Sequence, residues 1–353
     1  MIAVFGGYGV FGAHVARSLA AMGLRVRIAG RDEDRAKRFA AALGAGHEGI
    51  AADGNDPDAC AQALAGVNVA VNCAGPFSTM SMALPEACLA AGVHYVDIAD
   101  DRAWILRVRA RDGELRERNL AAAIGCSSLP GISGALAVLI AARLPAVERA
   151  RVTLFIGNRN PKGEAAVRAS VTQLGRSFRA PQGTLRGLHG REVVTLPPPF
   201  GRRAVYDWES PELDLFPAMF GARAVRVLVG FEARLATLTL ASLARLGPRL
   251  GRLLLSAIAP LARHLSGFGH SGGFVKVELF APDGTCADAA LGGASDGQRM
   301  AALPAAFVAQ GLAAGSVTAR GVMTAYEALG ARPLVERLVA AGYELFPGDL
   351  ART

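Results

Sequence analysis

Over its first 125 residues the chain alternates short apolar runs with amphipathic stretches, the strand–helix rhythm of a parallel sheet. The apolar runs predict strands at Ile2 to Phe5, Arg25 to Ala29, Gly49 to Ala52, Val67 to Asn72, His94 to Ile98 and Ala121 to Gly125. The stretches between them predict helices at Gly12 to Met22, Asp34 to Leu43, Pro57 to Leu64, Leu84 to Ala91 and Arg102 to Arg118. Six strands joined by such crossovers make a doubly wound α/β sheet.

Beyond Leu129-Pro130-Gly131 a helix is predicted from Ser133 to Leu144, and then the rhythm breaks. Val152 to Ile156, Val193 to Leu196, Ala224 to Val229 and Phe274 to Phe280 read as strands of a second, largely antiparallel sheet. Loops rich in Pro and Gly, such as Pro197-Pro198-Pro199, separate them. A chain of 353 residues exceeds what one core usually serves, so two domains are expected. The pattern divides it into a doubly wound domain over 1–130, an α+β domain for substrate or dimerisation over 131–300, and C-terminal helices over 301–353. It shows no internal repeat and no low-complexity tract.

From Leu235 to Leu265 the sequence is strongly apolar, but Arg245, Arg249, Arg252 and Arg263 interrupt it and Pro248 breaks it. Its longest charge-free runs, Leu235 to Ala244 and Leu253 to Ala262, are ten residues each. Both fall well short of the roughly 18 residues that suggest a transmembrane helix. A helical hairpin covering the second sheet or forming a homodimer interface is one reading, and a basic amphipathic element in peripheral contact with a membrane surface is the other.

Composition narrows the classes further. The chain is 52% hydrophobic, 6% aromatic and 19% charged, which describes a globular protein with a large core. Its formal charge is +8, and only Lys37, Lys162 and Lys276 are lysines, so the basic charge is nearly all arginine. These arginines are scattered among acids with few aromatics and no recognisable module, so no nucleic-acid partner is expected. Attraction of an anionic cofactor or small-molecule substrate is the more economical reading. Cys60, Cys73, Cys88, Cys126 and Cys286 stand far apart, without the spacing of a zinc site or a redox pair. The chain opens directly on a strand, without a charged leader or cleavage site, so a cytoplasmic location is expected.

The first strand runs straight into Gly6-Gly7-Tyr8-Gly9-Val10-Phe11-Gly12, which an alanine-rich helix follows. In a G-x-G-x-x-G pattern Gly7 allows the tight turn, Gly9 lets backbone approach a pyrophosphate, and Gly12 permits close helix–strand packing. The helix N-terminus offers free N–H groups and a positive dipole end to phosphates. Strand, turn and helix in this order define a Rossmann dinucleotide site, with Tyr8, Val10 and Phe11 between its glycines.

The second strand ends Ile28-Ala29-Gly30-Arg31, with Arg31 placed 24 residues beyond Gly7. An NAD site normally carries an acid there for the ribose 2′-hydroxyl. An arginine suits a 2′-phosphate, because its planar guanidinium makes bidentate, charge-assisted contacts. NADP is therefore favoured, with NAD second. Asp32 complicates the choice, since it either reaches the ribose or caps the next helix. Asp53, just past the third strand, is also placed among the cofactor-facing residues.

Two further segments carry a family resemblance. Val69-Ala70-Val71-Asn72-Cys73-Ala74-Gly75-Pro76-Phe77, followed by Glu86-Ala87-Cys88-Leu89-Ala90-Ala91-Gly92-Val93-His94-Tyr95-Val96-Asp97, resembles the saccharopine-dehydrogenase-like oxidoreductases, which share the N-terminal glycine turn. Ala302-Leu303-Pro304-Ala305, then Arg320-Gly321-Val322-Met323 with Glu327, and Pro333-Leu334-Val335-Glu336-Arg337-Leu338 are similar as well. The resemblance is strongest over 1–135 and next over 300–345, and its middle is closest to bacterial members of the wider family. It implies an NADP-binding Rossmann domain with Asn72, Ala74, Gly75 and Pro76 near the nicotinamide, and C-terminal helices that return to the first domain; Phe77 is placed with that loop among the cofactor-binding residues. It also implies that Gly125 to Gly131 crosses into the substrate domain. It names no substrate.

Hydride transfer needs orientation, a proton donor or acceptor, and exclusion of water. Asp97 and Asp100, at the carboxyl end of the fifth strand, are the acid–base candidates. The plainer reading is that Asp97 holds backbone N–H groups and Asp101 caps a helix. Ser127 and Ser128 could hydrogen-bond substrate or the nicotinamide carboxamide. Cys126 raises an acylating semialdehyde dehydrogenase, for which no activating base is in view, or else a buried structural thiol. His14, His47, His94, His189, His264 and His270 have no metal-ligand spacing, and no metal is expected. A short-chain dehydrogenase needs Tyr-x-x-x-Lys, but the five tyrosines are followed four residues on by Gly12, Ala99, Ser210, Gly330 and Pro347. The expected function is NADP-dependent hydride transfer on a small carbonyl, imine or amino-acid-like substrate, and the alternative is a cofactor-binding sensor or scaffold without turnover.

Overall fold

The computed structural model describes residues 1–161, 171–247, 250, 253–254 and 268–347. The chain divides into two compact units, Met1–Ile132 with Gln298–Gly330, and Ser133–Gly297 with the segment from Ala331 onward.

In the first unit the apolar runs become β1 (Ile2–Phe5), β2 (Val26–Gly30), β3 (Glu48–Ala51), β4 (Val69–Asn72), β5 (His94–Asp97) and β6 (Ala121–Ile124). Every residue of β1, β4 and β6 is buried, which is why these strands read as unbroken apolar runs rather than alternating ones. Between them stand α1 (Val10–Ala21), α2 (Glu33–Leu43), α3 (Pro57–Ala63) and α4 (Ala83–Ala91). The single helix predicted from Arg102 to Arg118 is two, α5 (Arg102–Arg109) and α6 (Asp112–Glu117). Trp104, Ile105 and Val108 bury one face of α5, but the next turn brings the charged Arg111 and Asp112. There the Asp112 carboxylate accepts the Val322 backbone N–H at 2.6 Å, and Arg111 bridges Glu86 and Glu114. The chain breaks where its apolar stripe lapses.

With a strand from the C-terminal stretch, β15 (Gly321–Thr324), the first sheet has the order β15-β6-β5-β4-β1-β2-β3 and is parallel throughout. This seventh strand corrects the expectation of helices alone in that stretch. Thr324 then caps a short helix over Ala325–Leu329 in a capping box with Glu327. The order reverses direction between β1 and β4, the switch point beside which ligands bind in such sheets.

The second unit begins with α7 (Ser133–Ala141) and β7 (Arg149–Ile156). It continues with the hairpin β8 (Ser177–Ala180) and β9 (Gly183–Arg186), then β10 (Glu192–Leu196) and β11 (Gly201–Asp207). Next come α8 (Glu212–Phe220), β12 (Ala224–Phe231), α9 (Arg234–Arg245), β13 (Gly273–Phe280) and β14 (Cys286–Gly293). With β16 (Glu344–Phe346) at its edge, its sheet, β10-β11-β12-β7-β13-β14-β16, is antiparallel except where β12 runs parallel to β7. Phe155, Phe200 and Phe274 pack with Val194, Val205 and Leu228 at its core. Arg151 grips Glu278 bidentately and reaches Glu192, and Arg226 joins Glu192 to Asp207.

The C-terminal stretch is shared between the units, which corrects the expectation that all of 301–353 returns to the first. Its last helix, Ala331–Ala340, packs on α7, and β16 (Glu344–Phe346) pairs with β14. Of the hairpin expected over 235–265, α9 is described, while Pro248, Arg249, Arg252 and Arg263 lie outside the described residues. No helix among the described residues is long and apolar enough to cross a membrane.

Candidate cofactor site

The glycine turn after β1 packs backbone on backbone. A methyl at position 12 would overlap the Gly6 carbonyl oxygen, so only glycine lets α1 come this close to the turn. Gly6 has φ +69°, and a methyl there would stand 2.9 Å from the Ala74 backbone nitrogen. That approach joins the loops after β1 and β4 across the switch point. Gly9 caps α1 with an extended backbone, and no side chain caps it or supplies an acid in its first turn. By contrast, Asp32, Asp56 and Asp101 cap α2, α3 and α5. The α1 N-terminus, where Val10, Phe11 and Gly12 begin the helix, is thus left for an external anion, and a pyrophosphate fits it.

The end of β2 is fastened to this turn by Tyr8. Its hydroxyl accepts the Asp32 backbone N–H at 2.9 Å, and its ring covers Gly30, where a methyl would overlap it. The Asp32 carboxylate accepts the Arg35 N–H at 2.9 Å, so it serves as the α2 cap. Arg31 is exposed, and its side chain forms no hydrogen bond or ion pair with a described residue. Arg35, absent from the sequence expectations, lays its guanidinium 4.6 Å over the Tyr8 ring. Its signal was its place in the first turn of the helix that follows the second strand. Asp53 accepts both the backbone and side-chain N–H groups of Asn55, and Asn55 in turn receives the Ser81 N–H, so Asp53 braces the turn after β3.

Asn72 is fully buried. Its amide donates to the Tyr95 hydroxyl at 3.1 Å and accepts the Ala74 N–H at 3.1 Å, which fixes the loop through Gly75 and Pro76. Phe77 turns inward and packs its ring at a tilt against Trp104, with centroids 5.4 Å apart, so it is a core residue rather than one facing a cofactor.

Asp97 also proves structural. Its carboxylate is sealed from solvent and accepts Ala99 N–H, Gly125 N–H and the Trp104 indole N–H at 3.1, 2.8 and 2.8 Å. Burial pushes its carboxyl up, while these bonds pull it down. An enclosed group with three donors is poorly placed to exchange a proton with substrate, which corrects its expected catalytic role. Asp100 differs. It reaches solvent, yet the protein atoms around it strip enough water to raise its carboxyl to about 6, with Asp101 adding a smaller push. The Ser127 side chain is half-buried and makes no hydrogen bond with a described residue, while Ser128 is buried. Burial drives the Cys126 thiol well above its ordinary value and Asp97 adds to this, so a thiolate nucleophile is disfavoured there.

A doubly wound parallel sheet with a glycine turn at its switch point defines a dinucleotide-binding domain. Residues 2–121 match the family model of the saccharopine dehydrogenase NADP binding domain, so the first unit contains an NADP-binding domain of that kind. No curated protein matches the chain in sequence. Among solved structures, apo saccharopine dehydrogenase (L-Glu forming) from Saccharomyces cerevisiae is 14% identical with a TM-score of 0.69. The alignment covers 98% of this chain and 99% of that one, so the whole chain has the saccharopine dehydrogenase fold. A short-chain type dehydrogenase/reductase from Mycobacterium ulcerans is 20% identical with a TM-score of 0.31, over 35% of this chain and 65% of that one.

Proposed function

We infer that this chain is an NADP-dependent oxidoreductase that moves a hydride to or from a small carbonyl, imine or amino-acid-like substrate. The observation that carries the reading is the meeting of the β1 turn with the β4 loop at the switch point, beside a helix N-terminus with no side-chain cap. Bound NADP supplies the hydride chemistry. The first-turn N–H groups of α1 hold the pyrophosphate, Arg31 and Arg35 receive the 2′-phosphate, and Asn72 fixes the Ala74–Pro76 loop near the nicotinamide. Asp100, with a carboxyl near 6, holds or releases the proton that accompanies hydride transfer. Ser127 offers a hydroxyl for orienting substrate.

Fluorescence titration with NADPH and NADH tests the cofactor, and a screen of imines, aldehydes and keto acids for cofactor oxidation tests the reaction. Micromolar binding with NADPH preferred, followed by turnover of one substrate class, is expected. If neither nucleotide binds, the reading is lost. Binding without turnover across the screen favours a cofactor sensor instead.

A further inference from the structure

We propose that the second unit docks on an anionic phospholipid surface through a three-arginine concavity and the leucine face of α9. In the β8–β9 hairpin Ser177 stands directly opposite Arg186, so both side chains leave the same face. With Arg176 and Arg245 they line a concavity of about 350 Å³ between the hairpin and the C-terminal end of α9. The lining carries three guanidiniums, one hydroxyl and no acid. Arg176 has a loose ion pair with Glu209 at 3.6 Å, while the side chains of Arg186 and Arg245 form no hydrogen bond or ion pair with a described residue. Three like charges gathered in one hollow repel, and a phosphate among them relieves that repulsion with charge-assisted hydrogen bonds.

The helix beside the hollow presents matching apolar chemistry. Ala241, Leu243 and Ala244 are buried, whereas Leu235, Leu238 and Leu246 are 74%, 50% and 52% exposed. Arg234 and Arg245 are exposed along with them. Leu250 and Leu253, 48% and 67% exposed, continue the apolar series. From Ala233 to Val275 the sequence contains no Asp or Glu, yet it holds Arg234, Arg245, Arg249, Arg252 and Arg263. An exposed leucine face with arginines and no carboxylates matches the boundary of an anionic bilayer, where leucines enter the acyl layer and guanidiniums take lipid phosphates. A second copy of this chain fits poorly, because two faces carrying more arginines than carboxylates repel each other.

The test is flotation of the full chain with vesicles of phosphatidylglycerol and phosphatidylcholine in equal parts, beside vesicles of phosphatidylcholine alone. Capture by the anionic vesicles and not by the neutral ones is expected. Each arginine near an anionic surface favours binding about fivefold, so Arg186→Glu with Arg245→Glu lowers partitioning at least about thirtyfold. Leu235→Ser with Leu238→Ser lowers it about tenfold or more. Melting temperature and NADPH affinity, read on the same preparations, stay at parental values. Should the charge-reversal pair melt early, Arg186→Gln with Arg245→Gln takes its place. Failure of the anionic vesicles to capture the parent, equal capture by neutral vesicles, or unchanged binding by the arginine variants overturns the proposal. So does a parent stabilised by inorganic phosphate but not captured by vesicles, which makes the hollow a site for soluble anions.

Discussion

Tyr8 and Asp32 are joined by a hydrogen bond of 2.9 Å, from the Asp32 backbone N–H to the Tyr8 hydroxyl. The contact ties the glycine turn to the start of α2, so the two ends of the proposed cofactor site are positioned together. With Asp32 occupied as a helix cap, the cations Arg31 and Arg35 set the character of that end.

On the proposed reading, removing the Arg31 guanidinium takes away a charge-assisted contact that a 2′-phosphate makes and the NADH ribose does not. Such bonds contribute roughly 1.5–3 kcal/mol, and each 1.4 kcal/mol is about tenfold in affinity. Arg31→Ala is therefore expected to weaken NADPH about ten- to a hundredfold and leave NADH nearly unchanged in fluorescence titrations. Equal losses for both nucleotides would reassign Arg31 to a solvated surface role.

Gly12 and Gly113 make a matched pair of helical glycines. A methyl at position 12 collides with the Gly6 carbonyl oxygen, whereas one at position 113 meets nothing within 4 Å. Alanine gains about 0.5–1 kcal/mol over glycine in a helix interior, but overpacking costs about 1–3 kcal/mol or more. Gly12→Ala should lower the melting temperature and abolish nucleotide binding, while Gly113→Ala should hold or raise the melting temperature with binding intact. A Gly12→Ala protein as stable as the parent contradicts the packing assigned to the turn.

Asp97 clamps the loops after β5 and β6 through Ala99, Gly125 and Trp104. In Asp97→Asn one oxygen still accepts the two backbone N–H groups, but the new amide N–H faces the indole N–H. An unmet bond to a buried carboxylate position costs about 1.5–3 kcal/mol in urea denaturation. Adding Trp104→Phe removes the opposed donor, so the double mutant should lose less than the sum of the single changes. Strict additivity would mean that the clamp is not a unit.

Much of the first unit was legible because fully buried parallel strands are continuous apolar runs bounded by helices of regular period. β15 was not, since Gly321-Val322-Met323-Thr324 is too short to show a period and pairs with a strand some two hundred residues away. β11 was hidden for another reason: Arg202 and Arg203 interrupt its apolar pattern, and its partners in the sheet are set by tertiary packing. At the site, the glycines were readable because each answers a steric demand of the turn. The backbone bonds of Asp97 were also anticipated, but the inward turn of Phe77 and the indole bond that seals Asp97 were not, because both depend on Trp104, which becomes their neighbour only when α5 packs down.

Asp100 gives the pH dependence its sign. Its folded carboxyl stands at about 6, above the ordinary value of 3.8, because lost solvation penalises the charged form. Below about pH 4 the group is protonated in folded and unfolded chains alike and contributes nothing to stability. As pH rises toward 6 the unfolded chain ionises more readily than the folded one, so the parent loses stability relative to a variant that cannot ionise, and above 6 the loss is complete. Asp100→Asn should therefore melt with the parent near pH 4 and above it from pH 6 upward. The same substitution should remove an inflection near pH 6 from the kcat/KM profile of an identified substrate and lower its plateau. The melting curves test the environment of the carboxyl, and the rate profile tests its use. A melting difference that does not change with pH refutes the raised carboxyl, whereas an unchanged rate profile beside the expected melting shift leaves Asp100 a poorly solvated acid without a role in proton transfer.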